Sequence, residues 1–582
     1  MRAPLVLATL VLSMVAGAAT SPPGALSASA PDVSVIFGGT GYEMGLGVTD
    51  DLGNTYVTGG TESSDFPVSS QAAQSQYGGA GDAFVAKIGP DGTLLYATYL
   101  GGSGRDEARG VAVDSAGNVW IAGVTESGDF PTLGAADSTL GGSGDAFVVR
   151  LAADGSLQAS TLFGSDGADR ALALRLDASG NAYVTGETSG VNFPTTTGAY
   201  DQTPNGDVDA FAIKFSPSAA ILYSTLLGGP GFDHGLALTV DGTGSAYITG
   251  KASEGFPVTA GAYDTTSNGG YDMFVTKLTP SGSALAYSTY VGGNAWDEGL
   301  GIDADGDGNA YLTGNVQSLN YPVTPGAVGG ALRGRIGVAA TKLNPAGSAL
   351  IYSGVIGGSV WDEGDALAVD STGAVFISGH QASPDFPTTA GAFDTTFGGG
   401  VDGFLLKVDP TGSTLLYSTF VGGEGWDGAM AMSIDDVGRA YVTGATTSGD
   451  FPGTLVAGSR GGFDAFAVKI DTGTTAPVPH PEPAFSLSVS PTLQSVVVGK
   501  AASYTALVTG KTTTSLVTLS IAGLPDGTTA TFVPSGDATT ITLQTSQATP
   551  PGAYELIVTG RSDGVNRSSN VRLSVHCCEP PG

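Results

Sequence analysis

Cysteine is nearly missing from this chain: 582 residues contain two, the adjacent Cys577 and Cys578. No disulfide framework can staple such a fold. The vicinal pair itself leaves a strained ring disulfide, an intermolecular bond and free thiols open. Basic residues are scarce too, with 22 Lys and Arg against 54 Asp and Glu and a net charge of −32. Nucleic acid and anionic membrane surfaces both require a basic face and are excluded as expected partners. The four histidines, His234, His380, His480 and His576, lie far apart and offer neither metal-ligand spacing nor a triad. Long apolar runs are lacking as well, so no transmembrane segment is expected.

The N-terminus reads as an export signal. Arg2 supplies the positive region, Leu5–Val15 the apolar core, and Ala16-Gly17-Ala18 a small-residue cleavage site. Cleavage after Ala18 or Ala19 makes residues 1–19 a signal peptide and the rest a secreted or cell-envelope protein. Residues 20–31 have small side chains, two prolines and no periodicity, which predicts disorder.

Glycine is abundant, at 92 residues, and recurs at fixed turn positions, so it marks tight turns. The organising stretch is Gly110–Pro131, GVAVDSAGNVWIAGVTESGDFP: an apolar strand, a turn at Asp114 and Gly117-Asn118, a second strand, then a loop. It is written seven times. Its aromatic position falls at Tyr56, Trp120, Tyr183, Tyr247, Tyr311, Phe376 and Tyr441, a period of about 64 residues. A full unit has strand a at 110–114, b at 119–125, c at 145–151 and d at 157–163. Seven four-stranded units predict an all-β, seven-bladed propeller over residues 32–470. The last unit has no strand d of its own, whereas residues 33–37 copy a strand d with no a, b or c before it. Pairing of 33–37 with 466–470 would close the ring and remove its exposed edges. The unit starting at Gly301 is degenerate, with Gly337, Val338 and Ala339 where others have Asp-x-Phe, and with the basic pair Arg333 and Arg335.

The phrases D-x-x-G-N-x-Y-V-T-G-x-T-x-S-x-x-F-P, D-A-F-V-A-K and Y-S-T-Y-L-G-G resemble the bacterial SBBP-type β-propeller repeat family. The resemblance covers roughly residues 32–470, implies an exported protein with a layout similar to NHL-type propellers, and carries no catalytic residues with it. Residues 471–484 form a Pro-rich linker. Residues 485–576 hold eight short period-2 strands and predict a β-sandwich. Their Leu-Ser-Val-Ser-Pro, Gly-Leu-Pro-Asp-Gly and Thr-Pro-Pro-Gly-Ala-Tyr phrases resemble bacterial Ig-like modules, and residues 577–582 are left as a tail.

Several residues are candidates for chemistry. Every d–a loop ends in an acid: Glu43, Asp106, Asp169, Asp233, Asp297, Asp362 and Asp427. All seven should ring the channel mouth. The favoured role is to accept backbone N–H groups and hold the turn. A calcium site at the mouth is the second reading, and seven equivalent acids argue against an asymmetric acid/base pair. The preceding residue is aromatic in five units: Tyr42, Phe232, Trp296, Trp361 and Trp426. These can pack between blades or present a platform to sugar rings. Asp303, Asp305 and Asp307 resemble a calcium loop, but Gly314 occupies the position where the full motif has its glutamate. Gly560-x-Ser562-x-Gly564 lies in a hairpin and lacks the strand-to-helix elbow of a nucleophile. The expectation is a non-catalytic binding or adhesion protein for a glycan or protein ligand. A propeller-based hydrolase or lyase and a structural envelope or matrix component are the alternatives.

Overall fold

The computed structural model describes residues 31–51, 53–458, 461–473, 486–491, 493–509, 518–522, 524–535, 538–562 and 565–577. The signal segment, residues 20–30, linker residues 474–484, His480 and Cys578 lie outside them. The described residues contain strands and turns and no helix, so none is long and apolar enough to cross a membrane. The chain divides into two compact units, Met1–Gly473 and Thr474–Gly582.

The described residues of the first unit form seven sheets, six of four strands and one of five. One sheet serves for all: Asp106–Val113, Val119–Thr125, Asp145–Leu151 and Leu157–Phe163 pair antiparallel in chain order. We keep the letters a to d for these positions. Strand c is buried on both faces except for one residue near its end, because the next sheet covers it. That explains its near-continuous apolar run of Phe147, Val148 and Val149. The first strand of each sheet packs against the first strands of the sheets before and after it. Glu43–Asp51, in the first full sheet, packs against Asp427–Ile434 in the last, so the succession returns on itself.

Val33–Gly38 completes the last sheet. Val33 to Phe37 pair antiparallel with Lys469 to Ala465, one residue earlier than the expected 466–470. A fifth strand, Thr454–Gly458, pairs parallel with the other edge of Val33–Gly38. It arises from the b–c loop, which carries no strand in the other sheets. The N-terminal strand is therefore held along both edges, so its backbone donors and acceptors are paired on either side. The degenerate strand Gly337–Leu343 still pairs in its sheet, because backbone hydrogen bonding does not need the missing aspartate.

In the second unit, Ser486–Ser490, Ala501–Thr509, Ala538–Gln544 and Thr529–Ser535 form one sheet in that order. Leu493–Val497, Val565–His576, Gly552–Ser562 and Thr518–Ala522 form the other. The eight strands match the eight read from the sequence to within a few residues, except that the last two are longer. Tyr504, Ile541, Leu556, Val558 and Leu573 lie in one shared core. Ser562 pairs with Val565 across a hairpin, which leaves it without the strained elbow a nucleophilic serine requires.

Candidate functional site

The d–a turn shows how the repeated phrases act together. Asp106 is the first residue of its strand, and its Oδ2 accepts the Gly102 N–H at 2.7 Å and the Ser127 hydroxyl at 2.7 Å. Ser127 Oγ in turn accepts the Gly104 N–H at 2.8 Å, and Asp129 accepts the Ser103 N–H at 2.8 Å. The G-G-x-x-D and T-x-S-x-x-F-P phrases are thus two halves of one lock, closed where Phe130 stacks on Phe147 at 4.7 Å. The same backbone bond, from the residue four positions earlier, reaches Glu43, Asp169, Asp233, Asp297, Asp362 and Asp427. All seven acids are at most 2% exposed. This corrects the expectation of a carboxylate ring at the channel mouth: the acids turn back into their own loops, where hydrogen bonds oppose the cost of burial without cancelling it and leave each carboxyl with a raised pKa.

A second acid stands beside most of them. Asp82, Asp145, Asp209, Asp272 and Asp402 open strand c, and each accepts an N–H from four residues earlier on its Oδ2. Their Oδ1 atoms are buried with no hydrogen-bond donor. A carbon added at Gly101 would lie 2.6 Å from Asp106 Oδ2 and 2.9 Å from Asp82 Oδ1, so glycine backbone fills the gap between the two carboxylates. Burial, opposed by the backbone bond and reinforced by the neighbouring carboxylate, pushes Asp82, Asp209 and Asp272 up to about 6 and Asp402 up to about 7.

At the other end of five of the seven sheets, the a–b hairpin acid meets the last cation of strand c. Lys277 Nζ lies 3.0 Å from Asp241 and 4.5 Å from the Tyr247 ring centroid. Lys342 repeats this with Asp305 at 3.3 Å and Tyr311 at 4.4 Å. The aromatic residue that marks the repeat is therefore a buried support for a paired lysine. This settles Asp303, Asp305 and Asp307, whose carboxylates diverge. Asp303 accepts from Thr239 Oγ1 at 3.0 Å and the Val369 N–H at 2.9 Å, on other sheets. Asp305 serves its own turn through Asn309, and Asp307 is exposed. Of the two readings of this stretch, solvated turn residues and a weak calcium loop, the second finds no support: strand a and the turn aim these side chains in different directions, and among the described residues no three acids, histidines or cysteines gather as a metal site.

The aromatic candidates stand at the junctions between sheets. Tyr42, Phe232, Trp296, Trp361 and Trp426 each form an isolated parallel bridge with the residue before strand c of the preceding sheet. Tyr42 is 52% exposed, Phe232 42% and Trp296 40%, while Trp361 and Trp426 are half-buried. Tyr42 stacks on Phe463 at 5.6 Å, Phe463 meets Trp426 edge-on at 5.2 Å, and His380 lies between Trp426 at 5.8 Å and Trp361 at 5.5 Å. Five rings thus make one arc. Trp296 stands apart, against Tyr271 and Lys251, and Phe232 belongs to neither group.

Two features escaped the sequence reading. Each first strand carries a β-bulge, seen as a register shift after Gly45, Ala108, Ala171, Gly235, Gly299, Gly364 and Gly428. A bulge re-aims the extra side chain. Here it sends Leu46, Arg109, Leu172, Leu236, Leu300, Asp365 and Met430 into one cavity of about 390 Å³. The signal was present as a large residue between two small ones. The second feature is His380. Its Nδ1 lies 2.6 Å from Asp365 Oδ2 and its Nε2 3.9 Å from Glu363. Burial lowers its pKa, but the two carboxylates outweigh this and leave it raised.

The fold and these junctions define an all-β repeat protein of the propeller type. A β-propeller repeat family model, SBBP, matches residues 95–131. The regulatory protein FlaEY of Caulobacter vibrioides is 24% identical over 294 residues, which is 46% of this chain and 28% of that protein. The match thus takes in less than a third of that relative's length. Among solved structures, the quinohemoprotein alcohol dehydrogenase of Comamonas testosteroni is similar with a TM-score of 0.36 at 11% identity, over 76% of this chain and 77% of that one. The plexin A4 extracellular region has a TM-score of 0.37 at 9% identity, over 94% of this chain and 54% of that one. Likeness at these scores carries nothing about chemistry.

Proposed function

We propose that this is a secreted or cell-surface binding protein without catalytic activity: a seven-bladed propeller closed by Val33–Gly38 and followed by an Ig-like sandwich. Its ligand is a glycan or a protein surface, taken at the end of the propeller that carries the long b–c loops. The arc Trp361–His380–Trp426–Phe463–Tyr42 supports this reading most strongly. Rings in successive stacked, edge-on and tilted contacts across neighbouring junctions form an amphipathic strip of the kind that stacks on sugar rings or on apolar protein side chains. The acids of the same end are committed to turns and leave recognition to the aromatics.

The test is binding of the full chain to a panel of immobilised polysaccharides and glycans. Binding that Trp426→Ala weakens by about tenfold or more, roughly the 1.4 kcal/mol of one decade, supports the reading. Binding that is indifferent to Trp426→Ala and to Tyr42→Ala contradicts a ligand on the arc.

A further inference from the structure

The interior of the first unit contains a cation that is paired differently from all its neighbours. Two cavities, of about 390 and 300 Å³, follow one another between the seven first strands, the smaller toward the a–b hairpins. Arg175 lines both and so stands at their neck. Its side chain is accessible to lumen solvent yet enclosed by the surrounding strands. At the hairpin ends, Arg150, Lys214, Lys277, Lys342 and Lys407 each touch a carboxylate within 3.4 Å. No carboxylate among the described residues comes within ion-pair distance of Arg175.

Asp303 is the acid whose field reaches it, and its oxygens are already occupied. Thr239 Oγ1 and the Ala304 N–H donate to one oxygen at 3.0 and 2.9 Å, and the Val369 N–H to the other at 2.9 Å. Arg175 directs Nη1 to the carbonyl of Leu174 at 3.0 Å, one hydrogen bond from a guanidinium that has five N–H donors. The remaining donors face the lumen. Above them, the bulge ring supplies Leu172, Leu236, Leu300 and Met430. The two charges in that ring are already matched: Arg109 with Glu107 at 2.6 Å and Asp365 with His380 at 2.6 Å.

We infer that the lumen is a binding site for an amphipathic organic acid, whose carboxylate pairs with Arg175 at the neck and whose apolar body fills the leucine- and methionine-lined cavity above. The planar fork of a guanidinium matches a carboxylate with two parallel hydrogen bonds. A cavity of about 390 Å³, whose walls join Leu172, Leu236, Leu300 and Met430 to the paired charges of Glu107, Arg109, Asp365 and His380, falls in the usual size range of small-molecule sites. The opposite orientation would place the acid head beside Arg109 and His380, whose charges Glu107 and Asp365 already pair. This site is independent of the aromatic arc, and its ligand need not be the one the arc takes.

Decanoate, decanol and decyltrimethylammonium are the probes, titrated calorimetrically into the full chain. The expected result is one decanoate per chain, bound at least about tenfold more tightly than either of the others. Arg175→Met should reduce the decanoate-to-decanol ratio to about one while the melting temperature stays within a few degrees. Leu236→Trp, which fills the cavity above the neck, should abolish binding of both. Equal affinity for decanoate and decanol, no binding to the folded wild-type chain, an unchanged ratio in Arg175→Met, or full binding in Leu236→Trp would each overturn the inference.

Discussion

The two ends of five of the seven sheets in the first unit use the same residue, aspartate, in opposite electrostatic settings. At the long-loop end, Asp106 and Asp82 sit side by side, buried, with backbone N–H groups and neutral side chains as their donors, and burial pushes both upward. At the hairpin end, Asp241 also loses water, but hydrogen bonds from its turn and from Lys277 outweigh that loss and hold it below its usual value. Asp114, Asp177, Asp305 and Asp370 behave in the same way. The difference shows that an acid repeated once per unit says little by its spacing about what it does. What surrounds it decides whether it keeps a proton or a cation.

The sharpest way to break the comparison is to crowd the long-loop end alone. Gly101→Ala places a methyl carbon 2.6 Å from Asp106 and 2.9 Å from Asp82. Chemical denaturation should show a loss of about 2–3 kcal/mol, in the range of an overpacked core. Gly128→Ala, whose added carbon meets nothing within 4 Å, should cost less than about 0.5 kcal/mol. Equal losses would mean that the carboxylate pair is not a tight lock.

Next comes the hairpin end. Lys277→Met keeps most of the side chain over Tyr247 but removes its charge from Asp241. A loss of about 1 kcal/mol at pH 7 is expected, and a smaller one at pH 3, where Asp241 without its lysine takes up a proton more readily. A loss of the same size at both pH values would show that the lysine acts by packing alone.

The third effect has the opposite sign. Asp402→Asn preserves an acceptor for the Gly398 N–H and removes the charge facing Asp427. Asp402 titrates at about 7 when folded and near 3.9 when unfolded. Its stabilising contribution is therefore complete below the unfolded value and is lost as pH rises through the folded one. The variant should melt at a higher temperature than the wild type at pH 8, by a smaller margin at pH 5, and at nearly the same temperature below about pH 4. A variant that is less stable at pH 8 would show that the carboxylate form is the one the fold favours.

Much of this was legible in the residues and some was not. Strand positions followed from alternation and turn chemistry, because each unit repeats one solution and seven copies average out local noise. The pairing of Val33–Phe37 was readable from the missing strand d. The fifth strand Thr454–Gly458 was not, since it depends on a loop finding an edge that is open in one sheet only. The acids at the d–a turns were located correctly and assigned their turn-holding role, but they were expected at an open mouth, and spacing holds no information about burial. Asp303 illustrates the limit most clearly: it reads as one third of a calcium loop, yet its partners Thr239 and Val369 lie about 65 residues away on either side. The bulge that turns Asp365 toward His380 was equally invisible until strand register was known, although the small-x-small phrase marks it.

The most direct test of the central claim, that the long-loop acids are turn locks and not cation ligands, is thermal melting of the full chain from pH 3 to pH 9, with calcium and with a chelator. The raised acids lose their contribution as pH climbs through about 6 to 7, and the lowered hairpin acids lose theirs as pH falls below about 4. The melting temperature should therefore peak between about pH 4 and 6, fall above pH 7, and trace the same curve in both solutions. A melting temperature at pH 8 that calcium raises by several degrees, or a maximum above pH 7, would contradict it.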